Sequence, residues 1–178
     1  MTSPAARAAA VYAVLAASHR LMDCWGQPDR WAAIKGATDE NPVTIRDSHT
    51  GEELGEAGTA AGRRACAAHV GLYGAAQALA LAGANRILRL GLTPRRAALV
   101  LVISTATHYY ADRHAGHWQD APRQARGLVR LAHVTGHVSW LRRAPEAGLH
   151  LDQAWHEWWL AVAAVAAAVE RRRPASSL

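Results

Sequence analysis

Three His/Asp pairs recur at a four-residue spacing in this chain: His19 with Asp23, His108 with Asp112, and Asp152 with His156. On an α-helix, residues four apart lie on one face, close enough for both side chains to reach one ion. A fourth segment sets His69, Tyr73 and Gln77 at the same interval. With 10 His and seven Asp in the chain, chance gives roughly 0.8 such pairs, so three is an excess. A carboxylate on the packed face of a helix is costly to bury unless it is paired or bound to a cation. Four helices that each bring a polar step to one interior would offset that cost by sharing partners. Two outcomes follow. In one, His and Asp hydrogen-bond each other as a buried structural network without metal. In the other, imidazole nitrogens and carboxylate oxygens hold one or two divalent ions, with water at an open position. Mixed nitrogen and oxygen donors without thiolate suit zinc, manganese, iron or nickel, with zinc or manganese foremost. Water on such an ion is acidic enough to attack a phosphoester or similar bond near neutral pH.

The elements that must carry these pairs are helical. The 178 residues suit one domain with a full core. Half of them are apolar, dominated by Ala, Leu and Val with no Phe, a composition that favours closely packed helices. A first helix is expected over 4–25, carrying Val11, Val14, Leu15 and Met22 at helical spacing, and is stopped by Gly26 and Pro28. A short helical turn is expected over 31–35. Residues 36–58, rich in Gly, Thr, Asp, Glu and Asn, read as one long structureless loop or lid. A second long helix is expected over 59–90 with Gly91 as its stop, and a third over 94–114, with Thr93 as N-cap and Pro94 at its first position. Residues 115–150 read as one or two short helices broken by Gly127, Gly136 and Pro145, and the last helix as 151–172, ending on three Arg that suit its dipole. The tail 174–178 is expected to fray. The fold class is therefore all-α, a single domain over 1–178 built as a bundle of four or more helices with a polar His/Asp centre.

The remaining residues with chemistry are less ordered in pattern. His133 and His137 are four apart but separated by Gly136; His114 and His117 follow the third helix; His49 and His150 fall in expected loops. Cys24 and Cys66 are too few and too isolated for a disulfide framework or a thiolate zinc site. No secretory signal is evident, which points to a cytoplasmic setting. Residues 65–85 have the length of a membrane span but contain His69, Gln77, three Gly and many Ala, so a buried core helix is the better expectation. The net charge of +6 is spread in small Arg groups, and Lys35 is the sole Lys. Dispersed charge reads first as a solvated surface, with weak non-specific nucleic-acid binding as the most it would support.

In order along the chain, H-x-x-x-D-x-W-x-Q, A-H-V-G-x-Y-x-x-x-Q-A-L-A-L, T-H-x-x-x-D-R and L-D-Q-x-x-H resemble the pattern of a family of small helical proteins abundant in actinobacteria and their phages. Some of its members are labelled transcriptional regulators. More distantly the chain is similar to bacterial inner-membrane metal-dependent hydrolases, which also carry H-x-x-x-D steps on helices. The resemblance covers roughly residues 11–160. It falls on His19, Asp23, Gln27, His69, Tyr73, Gln77, His108, Asp112, Arg113, Asp152, Gln153 and His156. Family members often carry His after the first Asp, where this chain has Cys24. The resemblance implies a shared polar site and does not name a reaction.

The expectation is a metal-dependent hydrolase acting on a small phosphate-containing or other anionic substrate. His19, Asp23, His108, Asp112, Asp152 and His156 form its expected ligand set. His69 either completes that set or acts as general base, and Arg113, beside a ligand, steadies an anionic group. A redox di-iron bundle fits less well, because such sites use Glu and Glu-x-x-His pairs. The alternative class is a non-enzymatic regulatory or partner-binding protein with a structural polar centre, its nearest recognition element being 122–143 with Arg123, Arg126 and Arg130 on one face. A third is peripheral membrane contact through the Trp-rich last helix.

Overall fold

A computed structural model describes residues 2–169. Nine elements follow in order: α1 (Pro4–Cys24), α2 (Asp29–Ile34), β1 (Val43–Arg46), β2 (Glu53–Ala57), α3 (Thr59–Ile87), α4 (Pro94–Asp112), α5 (Gly127–Val134), α6 (Val138–Arg143) and α7 (Ala147–Ala168). The expected all-α bundle is present. The four long helices pack in a ring, α1 on α3, α3 on α4, α4 on α7 and α7 on α1.

Local sequence explains the helix starts. Ser3 Oγ accepts from the Ala6 amide at 3.2 Å with Pro4 at the first position of α1, and Thr93 Oγ1 accepts from the Arg96 amide at 3.3 Å with Pro94 opening α4. Each cap satisfies an amide that has no partner inside its helix. The last helix begins earlier than expected, at Ala147. It ends at Ala168, short of the expected 172, and the arginines 171–173 and the tail 174–178 lie outside the described residues.

The interior changes character along the bundle axis. One end is an aliphatic core of Val11, Leu15, Leu81, Leu90, Leu92, Val100, Leu160, Ala163, Ala164 and Ala167. Stepping by four along each helix leads out of this core into polar groups. The path runs from Val11 and Leu15 to His19 and Asp23 on α1, and from Leu81 back through Gln77 and Tyr73 to His69 on α3. On α4 it runs from Val100 through Ser104 to His108 and Asp112, and on α7 from Leu160 back to His156 and Asp152. The border is a hydrogen-bonded layer. Tyr73 Oη and Ser104 Oγ lie 2.7 Å apart, and Gln77 Nε2 donates to Tyr73 Oη at 2.8 Å. The buried Tyr73 and Ser104 hydroxyls and the Gln77 amide nitrogen are thus paired before the charged groups begin, whereas Gln77 Oε1 has no hydrogen-bond partner.

Residues 36–58 are not structureless, which corrects the expected open loop. They contain an antiparallel hairpin with Val43 opposite Ala57 and Ile45 opposite Gly55. Its turn is closed by Asp47 Oδ1, which accepts from the His49 and Thr50 amides at 2.9 and 2.8 Å. Val43 and Ile45 pack with Trp31 on a small satellite core of Ile34, Ala37, Ala57 and Ala65, which pins the hairpin to the start of α3.

By length and composition α3 is the one helix among the described residues able to cross a membrane, although 39% of its apolar window is buried inside the fold. Trp155 is half-buried and donates to the Thr107 carbonyl at 3.3 Å, whereas Trp158 is exposed.

Candidate metal centre

Three of the long helices, α1, α3 and α4, deliver steps of their polar ladders to a common point. His69 Nε2 from α3 and His108 Nε2 from α4 lie 3.0 Å apart. Asp23 Oδ1 from α1 is 3.4 Å from each of these nitrogens. Asp112 Oδ2 from α4 is 3.4 Å from His69 Nε2 and 3.5 Å from His108 Nε2. Four donors on a tetrahedral ion with bonds of about 2.0–2.1 Å stand about 3.3–3.4 Å from one another, whereas adjacent octahedral donors stand at about 2.9 Å. Four of the five observed edges, at 3.4–3.5 Å, match the tetrahedral value, and the His69–His108 edge of 3.0 Å is shorter and within hydrogen-bond distance.

Hydrogen bonding alone leaves this arrangement unsatisfied. Asp23 Oδ1 and Asp112 Oδ2 are buried without a hydrogen-bond partner, and so is His156 Nε2. Charge-assisted bonds from imidazole to carboxylate close to about 2.7–2.9 Å, shorter than any His–Asp distance in the cluster. Asp23, Asp112 and Asp152 face the single ammonium of Lys35 and the His156 imidazole, whose pKa is raised, so negative charge is in excess within the cluster. Uncompensated buried charge of that kind is costly, and bound cations offset it. The donor set fits such an ion.

Around the four donors stand His19, Asp152 and His156. His19 Nδ1 is 3.6 Å from Asp23 Oδ2, and His156 Nε2 is 3.3 Å from Asp152 Oδ2. His108 stacks on both Tyr73 and His156, with ring centroids at 4.1 and 4.2 Å, which fixes the plane of its ring. Three overlapping groups have donor atoms close enough to share an ion: His19 with Asp23 and His108, His69 with His108 and Asp112, and Asp112 with Asp152 and His156. All eight expected site residues except Arg113 therefore belong to one cluster.

Protonation follows from these surroundings. Burial pushes the His19 imidazole down to about 4, with His156 and His108 nearby adding to the effect against Asp23, and burial likewise lowers His108 despite Asp112. Burial opposes ionisation of Asp112, yet His108 and Lys35 together hold its carboxyl at about 2. Asp23 is also held below the usual carboxylate range, burial being outweighed by His69, His108 and His19. For His156, burial is outweighed by the Asp152 carboxylate and the pKa is raised. His19 and His108 thus present lone pairs at neutral pH, and Asp23 and Asp112 present full charges, as ligation requires.

Two residues depart from expectation. Arg113 does not face the carboxylates: its guanidinium donates to the Lys35 carbonyl and, at 3.1 Å, to the Ala37 carbonyl. Backbone at the end of α2 thereby takes the donors expected to steady an anion. This threading is tight, because a Cβ on Gly62 would lie 2.6 Å from Arg113 Nη1 and 2.5 Å from the Ala37 carbonyl oxygen. The residue that does reach the site is Lys35, whose Nζ lies 2.8 Å from Asp112 Oδ1 and 3.2 Å from Gln27 Oε1. Its sequence signal was its isolation as the only lysine among 20 basic residues. A compact ammonium fits a single carboxylate oxygen where a planar guanidinium would not.

The cluster is reached from one edge. The side chains of Asp23 and Asp152 are 13% and 14% exposed, against 2% or less for the four imidazoles and Asp112. Gln153 Nε2 lies 3.4 Å from Asp23 Oδ2 at this edge, and Arg20 approaches Gln153 Oε1 at 3.5 Å. A separate cleft of about 490 Å³, lined by Arg113, His114, His117, Arg123, Arg126 and Arg130 among others, contains none of the clustered ligands. His117 is committed there to the Gly36 carbonyl and Asp120. The segment 122–143 carries two short helices, α5 of 8 residues and α6 of 6.

Comparison with protein-family profiles, curated proteins and solved structures finds no match to this chain.

Proposed function

We propose that this chain is a divalent-metal-dependent hydrolase acting on a phosphate-containing or other anionic substrate. The observation that carries the proposal is the convergence of Asp23 Oδ1, His69 Nε2, His108 Nε2 and Asp112 Oδ2, two of which are buried oxygens with no hydrogen-bond partner. A divalent ion there would polarise a bound substrate oxygen and acidify a bound water. His69, expected either as ligand or as base, takes the ligand role on this reading because its Nε2 points at the same three donors. Asp23 holds the solvent-facing side of the set, and Arg20 replaces Arg113 as the guanidinium at that edge. Zinc and manganese remain the ions of choice for two nitrogens and two oxygens.

A second reading has its own support. Four protein donors complete a tetrahedron, and closed tetrahedra are characteristic of structural ions. On this alternative the centre ties α1, α3 and α4 together in a non-enzymatic regulatory or partner-binding protein. The two are separated with protein purified without nickel affinity, loaded with zinc or manganese, and assayed against phosphomonoesters, phosphodiesters and nucleotides. The hydrolase reading expects turnover that chelation and Asp112→Asn both abolish. Bound metal with no turnover across the screen would establish the structural role.

A further inference from the structure

We infer that Asp152 and His156 hold a second divalent cation beside the first, with Asp112 as the bridging carboxylate. Its catalytic role rests on the hydrolase reading above; its existence does not. Asp112, Asp152 and His156 each offer a donor, and the three donors lie within 4.8 Å of one another. The Asp152 Oδ2 to His156 Nε2 separation of 3.3 Å repeats the edge length of the first set. His156 is 3% exposed, and its Nε2 has no hydrogen-bond partner. His19 is 1% exposed, neither of its ring nitrogens has a hydrogen-bond partner, and its ring centroid lies 4.9 Å from that of His156. Two buried imidazoles outside the first tetrahedron thus present unused nitrogens on the same side of it.

The two carboxylates of the first set are disposed differently. Asp23 turns Oδ1 toward His69 and His108, at 3.4 Å from each, and Oδ2 toward His19 Nδ1 at 3.6 Å. Its Oδ1 thus belongs to the first donor set, while Oδ2 also lies 3.4 Å from Gln153 Nε2 at the open edge. Asp112 bridges through Oδ2 alone, because Lys35 occupies Oδ1 at 2.8 Å. Pairs of metals held about 3.5–4 Å apart in this way clamp the attacking and leaving oxygens of a phosphoryl group. The division of labour follows from coordination. The first ion has four protein donors and anchors the pair, whereas the second lies toward Asp152, 14% exposed, where substrate can enter its coordination sphere.

The test is manganese stoichiometry on chelated, refilled full-length protein, read by calorimetric titration and by low-temperature electron paramagnetic resonance. Wild type is expected to take up two equivalents of Mn²⁺ with an exchange-coupled spectrum. Asp152→Asn and His156→Gln are each expected to retain one equivalent and to show the six-line spectrum of isolated Mn²⁺, with wild-type circular dichroism. If His156→Gln fails to fold, Asp152→Asn at its partly exposed position and the wild-type stoichiometry still decide the matter. One equivalent and an uncoupled spectrum in wild type would overturn the second site and leave Asp152 and His156 as a simple ion pair. Two coupled equivalents retained by Asp152→Asn would also overturn the assignment. Two equivalents without turnover on any substrate would leave the second site standing and sink the hydrolase reading; one equivalent with metal-dependent turnover would do the reverse.

Discussion

Replacing Lys35 by methionine should destabilise the metal-free protein strongly and yet tighten its hold on metal. Lys35 Nζ and Asp112 Oδ1 are 2.8 Å apart, with side chains 13% and 1% exposed. Removing one partner of a buried ion pair costs about 3–5 kcal/mol, most of it from the charge left behind. Some solvent reaches the lysine, so the lower figure of about 3 kcal/mol applies to the chelated protein. With a cation on Oδ2, Asp112 keeps a positive neighbour and the loss should shrink to about 1 kcal/mol, the residue of one hydrogen bond to a charged group. The two losses close a thermodynamic cycle, so the variant should bind the ion more tightly by about 2 kcal/mol, or about 30-fold. Urea unfolding of chelated and zinc-loaded protein gives the two stabilities, and competition with a chromophoric chelator gives the affinity. Metal binding weakened tenfold or more in Lys35→Met would refute the reasoning, because Lys35 would then be orienting Asp112 and not compensating its charge.

Three further outcomes follow from the same geometry. Unfolded His19 takes a proton below its ordinary 6.5, while the folded imidazole resists one down to about 4. Its contribution, on the order of 3 kcal/mol, is therefore intact above pH 6.5 and is lost as pH falls from 6.5 toward 4. His156, raised by Asp152 against its burial, acts in the opposite sense and is lost as pH rises through its folded value. Chelated protein should be most stable near pH 6.5, and His19→Gln should flatten the acid limb in urea titrations; an unchanged limb would count against the buried neutral imidazole. Gly62→Ala should cost several kcal/mol despite the better helix propensity of Ala, since its Cβ would press on Arg113 and the Ala37 carbonyl; a thermal melt at or above wild type would contradict that packing. Duplex DNA should bind weakly, without sequence preference, and lose affinity steeply between low and physiological salt; submicromolar selective binding in a fluorescence polarisation assay would favour the regulatory alternative.

The polar ladders were legible in the sequence because helical spacing is a local property. His19/Asp23, His108/Asp112 and Asp152/His156 announce their shared faces without tertiary information, and His69, Tyr73 and Gln77 follow the same rule. Thr93 and Pro94 mark the start of α4 for equally local reasons. The hairpin was missed although its first strand carries the β-branched Val43, Thr44 and Ile45. The second strand, Glu53–Ala57, is exposed except at Ala57 and shows no apolar alternation. It forms through pairing with β1, whose Val43 and Ile45 pack against Trp31, and that packing is a tertiary effect. Arg113 and Lys35 exchanged roles for a related reason. Adjacency to Asp112 in the chain says nothing about direction, and at the end of α4 the next residue points around the helix, away from the cluster. The end of α2 brings Lys35 to Asp112 from 77 residues away.

The central claim is that four side chains from three helices converge on one ion. Anomalous diffraction at the zinc and manganese edges, from crystals of protein purified without added nickel and soaked in the metal, tests it most directly. The account predicts a peak about 2.0–2.2 Å from Asp23 Oδ1, His69 Nε2, His108 Nε2 and Asp112 Oδ2. A map with no peak there at either edge would contradict it.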